Sequence, residues 1–328
     1  MQGSRSEQGS VKSAQGTAAP RHPGRRNTRT VLIRASRCWE LYLFLVPAIV
    51  LIALFNYWPM YGIQIAFRDY KPLLGITGGK YVGLKHFERL IHLPAFVQIV
   101  RNTFRLAALG IVLGFPFPIL LAITLNQLRS ERFKRIVQTV TYLPHFISTV
   151  VLVGMLFVFL SPSYGIWGAI ANALGLEARN IMGEKGMFKW VYVISGIWQN
   201  CGWDAIIYLA ALSSIDTALY EAAMIDGANR WQRIWYIDIP SIIPTMTILL
   251  ILSSGGFLSV GFDKVFLMQK DATLSVSETI STYTYKMGLV NSQYSFSTAV
   301  SLLNTLVNFV VLFIVNFIAG KVGETSLW

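Results

Sequence analysis

The chain has 328 residues, of which 54% are hydrophobic and only 13% charged, and a mean hydropathy of +0.51. This excludes an ordinary soluble domain and leaves an integral membrane protein. A net charge of +12 would point a soluble protein toward nucleic acid, but eight of the 28 basic residues fall in the first 38 positions. They read as a membrane-surface tail, so membrane lipid is expected as a partner and nucleic acid is not.

Residues 1–38 are rich in Ser, Gly, Gln, Pro and Arg and cannot bury enough surface to offset ordering, so a basic, largely disordered tail is expected. Arg25, Arg26, Arg29, Arg34 and Arg37 lead into a first apolar run, Trp39 to Met60, long enough for a hydrocarbon core roughly 30 Å thick. Positive flanks put the N-terminus in the cytoplasm. Tyr61 to Arg101 is mixed and polar and reads as an external excursion. A second span, Thr103 to Leu125, carries Pro116 and Pro118 and should kink. The link 126–138, with Arg129, Arg132, Lys134 and Arg135, is cytoplasmic on the same rule.

A third span is predicted over Val137 to Ser161, followed by an outer loop with a short amphipathic helix, Ile166 to Leu174. The fourth span, Trp190 to Leu212, is the most polar. A fifth runs from Pro240 to about Phe262, with Ser253-Ser254-Gly255-Gly256 at its centre, and a sixth covers Ser297 to Gly320. The expected fold is therefore an all-α integral membrane protein with six transmembrane helices (39–320), a cytoplasmic loop 214–240 and a cytoplasmic tail 321–328. Cys38 and Cys201 then fall in different compartments, and no disulfide or metal cluster is expected.

Between spans four and five lies Glu-Ala-Ala-Met-Ile-Asp-Gly-Ala-Asn-Arg, residues 221–230, followed by Trp231, Ile234 and Trp235 at helical spacing. Glu221 favours the positive N-terminal end of a short helix, and Ala222 and Ala223 give it a face with little side chain, on which another surface can come close. Gly227 permits a turn that a β-carbon resists. Glu221-Ala222-Ala223, Asp226-Gly227-Ala228 and Ile237-Asp238-Ile239-Pro240 resemble the EAA loop of binding-protein-dependent bacterial ABC importers. Tyr81 to Phe87, Asn102-Thr103 and Tyr142-Leu143-Pro144 resemble further positions of the sugar-importer permeases, the maltose-type oligosaccharide group. The resemblance implies that residues 221–228 form the coupling helix that docks on a separate ATPase. It also implies a second permease subunit, two ATPase subunits that bind ATP and Mg, an external solute-binding protein, and a location in the bacterial inner membrane.

No phosphate-binding Gly-x-x-x-x-Gly-Lys-Ser/Thr loop occurs, and the four histidines are scattered, so no enzyme activity and no cofactor is expected on this chain. Asn200, Asp204 and Tyr208 are spaced i, i+4, i+8 and share one helical stripe, with Trp203 beside it offering a ring to a sugar. The stripe either contacts substrate or pairs with Ser253, Ser254 or Asn304 on neighbouring spans. An ion-coupled transporter using Asp204 would explain the intramembrane charge and leave the 221–240 pattern unexplained.

The first outer segment carries Arg68, Lys71, Lys80, Lys85 and Arg89 against Asp69 and Glu88, and Arg101 and Arg105 follow one helical turn apart. A basic mouth concentrates a polyanion, and arginine holds a carboxylate with two hydrogen bonds. The expected substrate is an acidic oligosaccharide of the alginate or polygalacturonate type. Arg105 is placed at its entrance, or opposite Asp204 as a neutralising charge.

Overall fold

The computed structural model describes residues 39–322, so the tail 1–38 with Cys38, and residues 323–328, lie outside the described residues. The chain divides into two units at Tyr61 and Gly62. In the first, α1 (Trp39–Ile52) passes into a π turn, Ala53–Tyr57, and then a 3-10 run. The helical stretch Tyr42–Phe67 has 26 residues, longer than the expected span because the sequence stays apolar beyond Met60.

In the second unit, a two-residue hairpin pairs β1 (Arg68–Asp69) with β2 (Lys80–Tyr81) in antiparallel register, Arg68 opposite Tyr81. Then come α2 (Lys85–Ile91), α3 (Phe96–Gly114) and α4 (Pro116–Asn126). Together α3 and α4 make one 31-residue apolar helix, Phe96–Asn126. Pro116 and Pro118 fall in the first turn of α4, where a missing N–H costs least, so the expected kink is reduced to a single turn residue, Phe115.

The third predicted span is not one helix. α5 (Glu131–Tyr142) runs into a 3-10 turn, Leu143–Phe146, and meets α6 (Thr149–Phe159) at 100°. Pro144 tightens the turn, Ile147 is extended, and the Ser148 hydroxyl accepts from Val151 N to start the new helix. α7 (Ile166–Ala173) is the expected short outer helix, and α8 (Lys185–Ser213) is a single 29-residue rod. A β-carbon at Gly202 of α8 would stand 2.1 Å from Thr141 O, so the backbones of α8 and α5 touch there.

After α9 (Thr217–Ile225) and α10 (Arg230–Arg233) a π turn, Ile234–Asp238, leads into α11 (Ile239–Ser254). The helical run therefore starts at Arg230 rather than at Pro240. The wide turn, closed by Ile239 N to Ile234 O, accommodates a proline that cannot donate to the carbonyl four residues back. It ends at Ser254, because Gly255 and Gly256 open into turns. The Ser-Ser-Gly-Gly stretch is thus the end of the helix and not its middle. α12 (Phe262–Met268), α13 (Leu274–Ser277) and α14 (Ile280–Tyr285) fill the following segment before α15 (Tyr294–Val322).

By length and composition, four helices among the described residues can cross a membrane, and six if each of two bent pairs is one span. The core has three apolar clusters. One joins Ile119, Ala122 and Leu125 of α4 to Ala205, Leu209 and Leu212 of α8 and Ile242 of α11. The second packs Leu106, Val153 and Phe188 around Val265 and Met268, and the third packs Leu90 and Ile99 against Ile280, Phe296 and Val300.

The non-helical backbone after α11 is met by one side chain: Asn308 Oδ1 accepts from Leu258 N at 2.8 Å, and its Nδ2 donates to Ser259 Oγ at 3.2 Å. Asn308→Ala leaves a buried N–H without a partner, a loss of about 1–3 kcal/mol. The variant should unfold at lower temperature in detergent than wild type.

Candidate functional site

Two regions carry the residues that the sequence singled out. The first is α9. Asp216 caps it by accepting from Ala218 N at 2.9 Å, so the helix starts four residues before the expected position, and Glu221 sits in its middle rather than at its N-terminal end. Its C-terminus closes with Ala228 N to Ala223 O (2.8 Å) and Gly227 N to Met224 O (3.1 Å), and Gly227 takes φ +81°. This 6→1 and 5→2 pair needs a left-handed residue, which explains the glycine. Asn229 and Gln232 then cap α10 reciprocally. No residue of α9 is buried: Glu221, Ala222, Asp226 and Gly227 are exposed, Ala223 and Ala228 half-buried, and Ile225 is 86% exposed.

What anchors α9 was not anticipated. Asp238, wholly buried at the start of α11, accepts from Tyr220 Oη (2.5 Å) and from Gln127 Nε2 (2.8 Å) just beyond α4. Burial, with the Asp238 carboxylate beside it, pushes the Tyr220 phenol up to about 12, so it remains a neutral donor. One carboxylate thus ties the exposed helix to two long apolar helices.

The second region is a cavity of about 530 Å³ between α3, α4, α6, α8, α11 and α12. Asn200, Asp204 and Tyr208 all line it, as their spacing predicts, and so does Ser253, whose hydroxyl donates to Leu249 O. Asn200 also takes part in structure: His145 Nδ1 donates to its Oδ1 at 3.0 Å, while its Nδ2 donates to Gly196 O. Three predicted residues fall outside the lining. Trp203 stacks on His145 at 4.5 Å and 4°, so one ring face is occupied. Ser254 is buried and donates to Ile251 O. Arg105 is exposed, and among the described residues Asp204 has no ion pair within 4 Å, so Arg105 does not neutralise it.

The cavity also holds groups that were not singled out as lining. Lys264 and Asp263 lie on α12, in a stretch assigned by sequence to the end of a span and the start of an outer loop. Gln199 Nε2 donates to Ile147 O at 2.8 Å, meeting the carbonyl at the bend between α5 and α6. Its place one residue before Asn200 was a readable signal; its partner was not.

The basic outer segment divides in two. Arg68 donates to Thr77 O and Gly79 O and closes the hairpin, and Lys85 pairs with Asp69 at 3.1 Å and, by its hydrogen bond, holds that carboxyl below its usual range. Arg89 lies over the Phe296 ring at 4.6 Å. Lys71, Lys80, Arg101 and Arg105 are exposed and have no ion pair among the described residues. Asn102 donates to Ser275 O and Glu278 O, and Thr103 Oγ1 accepts from Ile280 N, so this Asn-Thr pair fastens α3 to the segment between α11 and α15.

Removing the carboxylate of Asp238 strands two donors. Asp238→Ala should cost about 3 kcal/mol or more, seen as a fall in thermal stability of the purified protein, whereas Tyr220→Phe should cost about 1 kcal/mol because it removes a single donor.

Residues 114–324 match the family described as the binding-protein-dependent transport system inner membrane component. The chain is 41% identical to the polygalacturonan/rhamnogalacturonan transport system permease protein YteP of Bacillus subtilis, over 92% of this chain and 94% of that protein. It is 39% identical to Protein LplB of the same organism, over 88% and 91%. A solved structure, a bacterial alginate ABC transporter in complex with alginate pentasaccharide-bound periplasmic protein, contains a chain that superposes with TM-score 0.83 at 37% identity, covering 90% of this chain and 98% of that one. The chain belongs to the binding-protein-dependent transport system inner membrane component family.

Proposed function

We propose that this chain is a permease subunit of an ATP-driven importer and forms half of the translocation pathway for an acidic oligosaccharide delivered by a solute-binding protein. The observation that carries this is α9: an exposed, doubly capped helix bearing Glu221-Ala222-Ala223 and Asp226-Gly227-Ala228, held by Asp238 between apolar helices. In this reading residues 39–320 form six spans, 214–240 is the cytoplasmic coupling loop, and the tails 1–38 and 321–328 are cytoplasmic, in the bacterial inner membrane. The partners are a second permease subunit, two ATPase subunits carrying ATP and Mg, and the external binding protein.

The chemistry of hydrolysis lies on the ATPases; this chain moves. ATPase closure pulls α9 inward, the Tyr220–Asp238–Gln127 bonds pass the displacement to α4 and α11, and both helices line the cavity. Asn200, Asp204, Tyr208 and Ser253 offer amide, carboxylate and hydroxyl groups to sugar hydroxyls there. The acidic substrate is supported by relatives named for polygalacturonan and alginate, and by the exposed Lys71, Lys80, Arg101 and Arg105. Asp204, without an ion pair within 4 Å, is what an ion-coupled carrier would use. Uptake that stops on ATPase inactivation and survives collapse of the proton gradient separates the two.

Glu221→Lys reverses a charge on the docking helix, and Gly227→Pro demands a φ near −65° where the turn has +81°. Both should insert normally yet lower transport by the reconstituted complex about tenfold or more, the effect of ~1.4 kcal/mol at the interface, with loss of binding-protein-stimulated ATP hydrolysis. Wild-type coupling in both would remove the docking role. Matched acidic and neutral oligosaccharides, offered with the binding protein, should stimulate hydrolysis only when acidic. Stimulation by neutral sugars alone would overturn the substrate class.

A further inference from the structure

The cavity lining carries one basic side chain, Lys264, and two carboxylates, Asp204 and Asp263. Lys264 is only 9% exposed. Its Nζ donates to Tyr192 O at 2.9 Å and stands 5.0 Å from the Tyr192 ring centroid, and among the described residues no carboxylate lies within 4 Å of it. An ammonium has three donors and a full charge. One backbone carbonyl and a ring face meet part of that need, and an ammonium held out of water without a counter-ion is costly. The neighbours Val265 and Met268, wholly buried in an apolar cluster, show that this helix could have carried an apolar side chain instead.

The facing wall of α8 leaves the ammonium open. A β-carbon at Gly196 would stand 3.3 Å from Lys264 Nζ, so the cation lies at the level of Gly196 with no side chain between. Asn200 and Asp204 follow on the same stripe, about 6 and 12 Å further along the helix axis at 1.5 Å per residue. Asp263 is exposed. Along the α8 wall the cation thus lies at one level and the Asp204 carboxylate two helical turns away. A neutral sugar can hydrogen-bond to both groups through its hydroxyls but leaves the ammonium without a counter-ion. A sugar acid satisfies both, its carboxylate at Lys264 and the hydroxyls of an adjoining unit at Asn200 and Asp204.

We propose that Lys264 is the carboxylate subsite of the cavity, pairing with one acid group of the sugar chain in transit; the proposal rests on the cavity being the transport pathway. The test uses the full complex with its binding protein in vesicles, oligogalacturonate and its methyl-esterified, uncharged counterpart as probes, and Lys264→Gln, Lys264→Met and Lys264→Arg. Gln keeps a donor for Tyr192 O and Arg keeps the charge. Gln and Met should each lower oligogalacturonate uptake about tenfold, the worth of one charge-assisted bond, relative to uptake of the ester, and Arg should restore most of it. Wild-type preference for the acid in Lys264→Gln overturns the proposal and leaves the importer reading standing. Equal loss for both probes in all three variants, or failure of all three to assemble, assigns Lys264 a structural role and also overturns it. A wild-type complex that moves only the ester removes the subsite together with the acidic substrate, while ATP-dependent import remains.

Discussion

Backbone amides and carbonyls inside an apolar medium must find partners within the protein, and this requirement governs how the molecule is built. Helices meet it by themselves; breaks do not. At three of the breaks a side chain from another element supplies the missing partner. Gln199 of α8 reaches Ile147 at the bend between α5 and α6, Asn308 of α15 meets Leu258 and Ser259 beyond α11, and Asn102 and Thr103 of α3 meet Ser275, Glu278 and Ile280. Polar residues in apolar helices are therefore not all signs of a substrate path. Several are fasteners that make irregular backbone possible, and the cavity exists because helices are allowed to stop beside it.

The same economy appears at the opposite extreme of exposure. α9 buries none of its residues, so little of its own packing holds it in place. Its position comes from the caps at Asp216 and Gly227 and from the bond between Tyr220 and a carboxylate that is itself wholly buried. An exposed helix is thereby bonded to the long helices behind it through one buried carboxylate. The Asp238 node joins residues 111 positions apart and ends on both α4 and α11, two of the helices that wall the cavity.

Much of this was legible from local spacing. The i, i+4, i+8 stripe on α8 needed only helical periodicity, and the turn at Gly227 needed only the absence of a β-carbon. The helix N-terminus at Thr217 does not follow from the Glu-Ala-Ala pattern, because its cap, Asp216, lies five residues before Glu221. The bend at Pro144 is hidden for the opposite reason: an apolar run of the right length conceals a break when its proline sits between leucine and histidine, with no glycine beside it. Long-range pairs such as Gln127 with Asp238, or Lys264 with the Tyr192 carbonyl, leave no trace in spacing, because the two ends are brought together only by the packing of whole helices. The basic outer segment was legible as charge but not as function, since Arg68, Lys85 and Arg89 are engaged in closing the fold.

At Gly202 the main chains of α8 and α5 are in direct contact, with no room for even a methyl group between them. Layers of side chains can ratchet past one another by exchanging rotamers; two bare backbones cannot. No layer of side chains separates the two helices at that crossing, so α5 and α8 approach each other there as closely as main chains can.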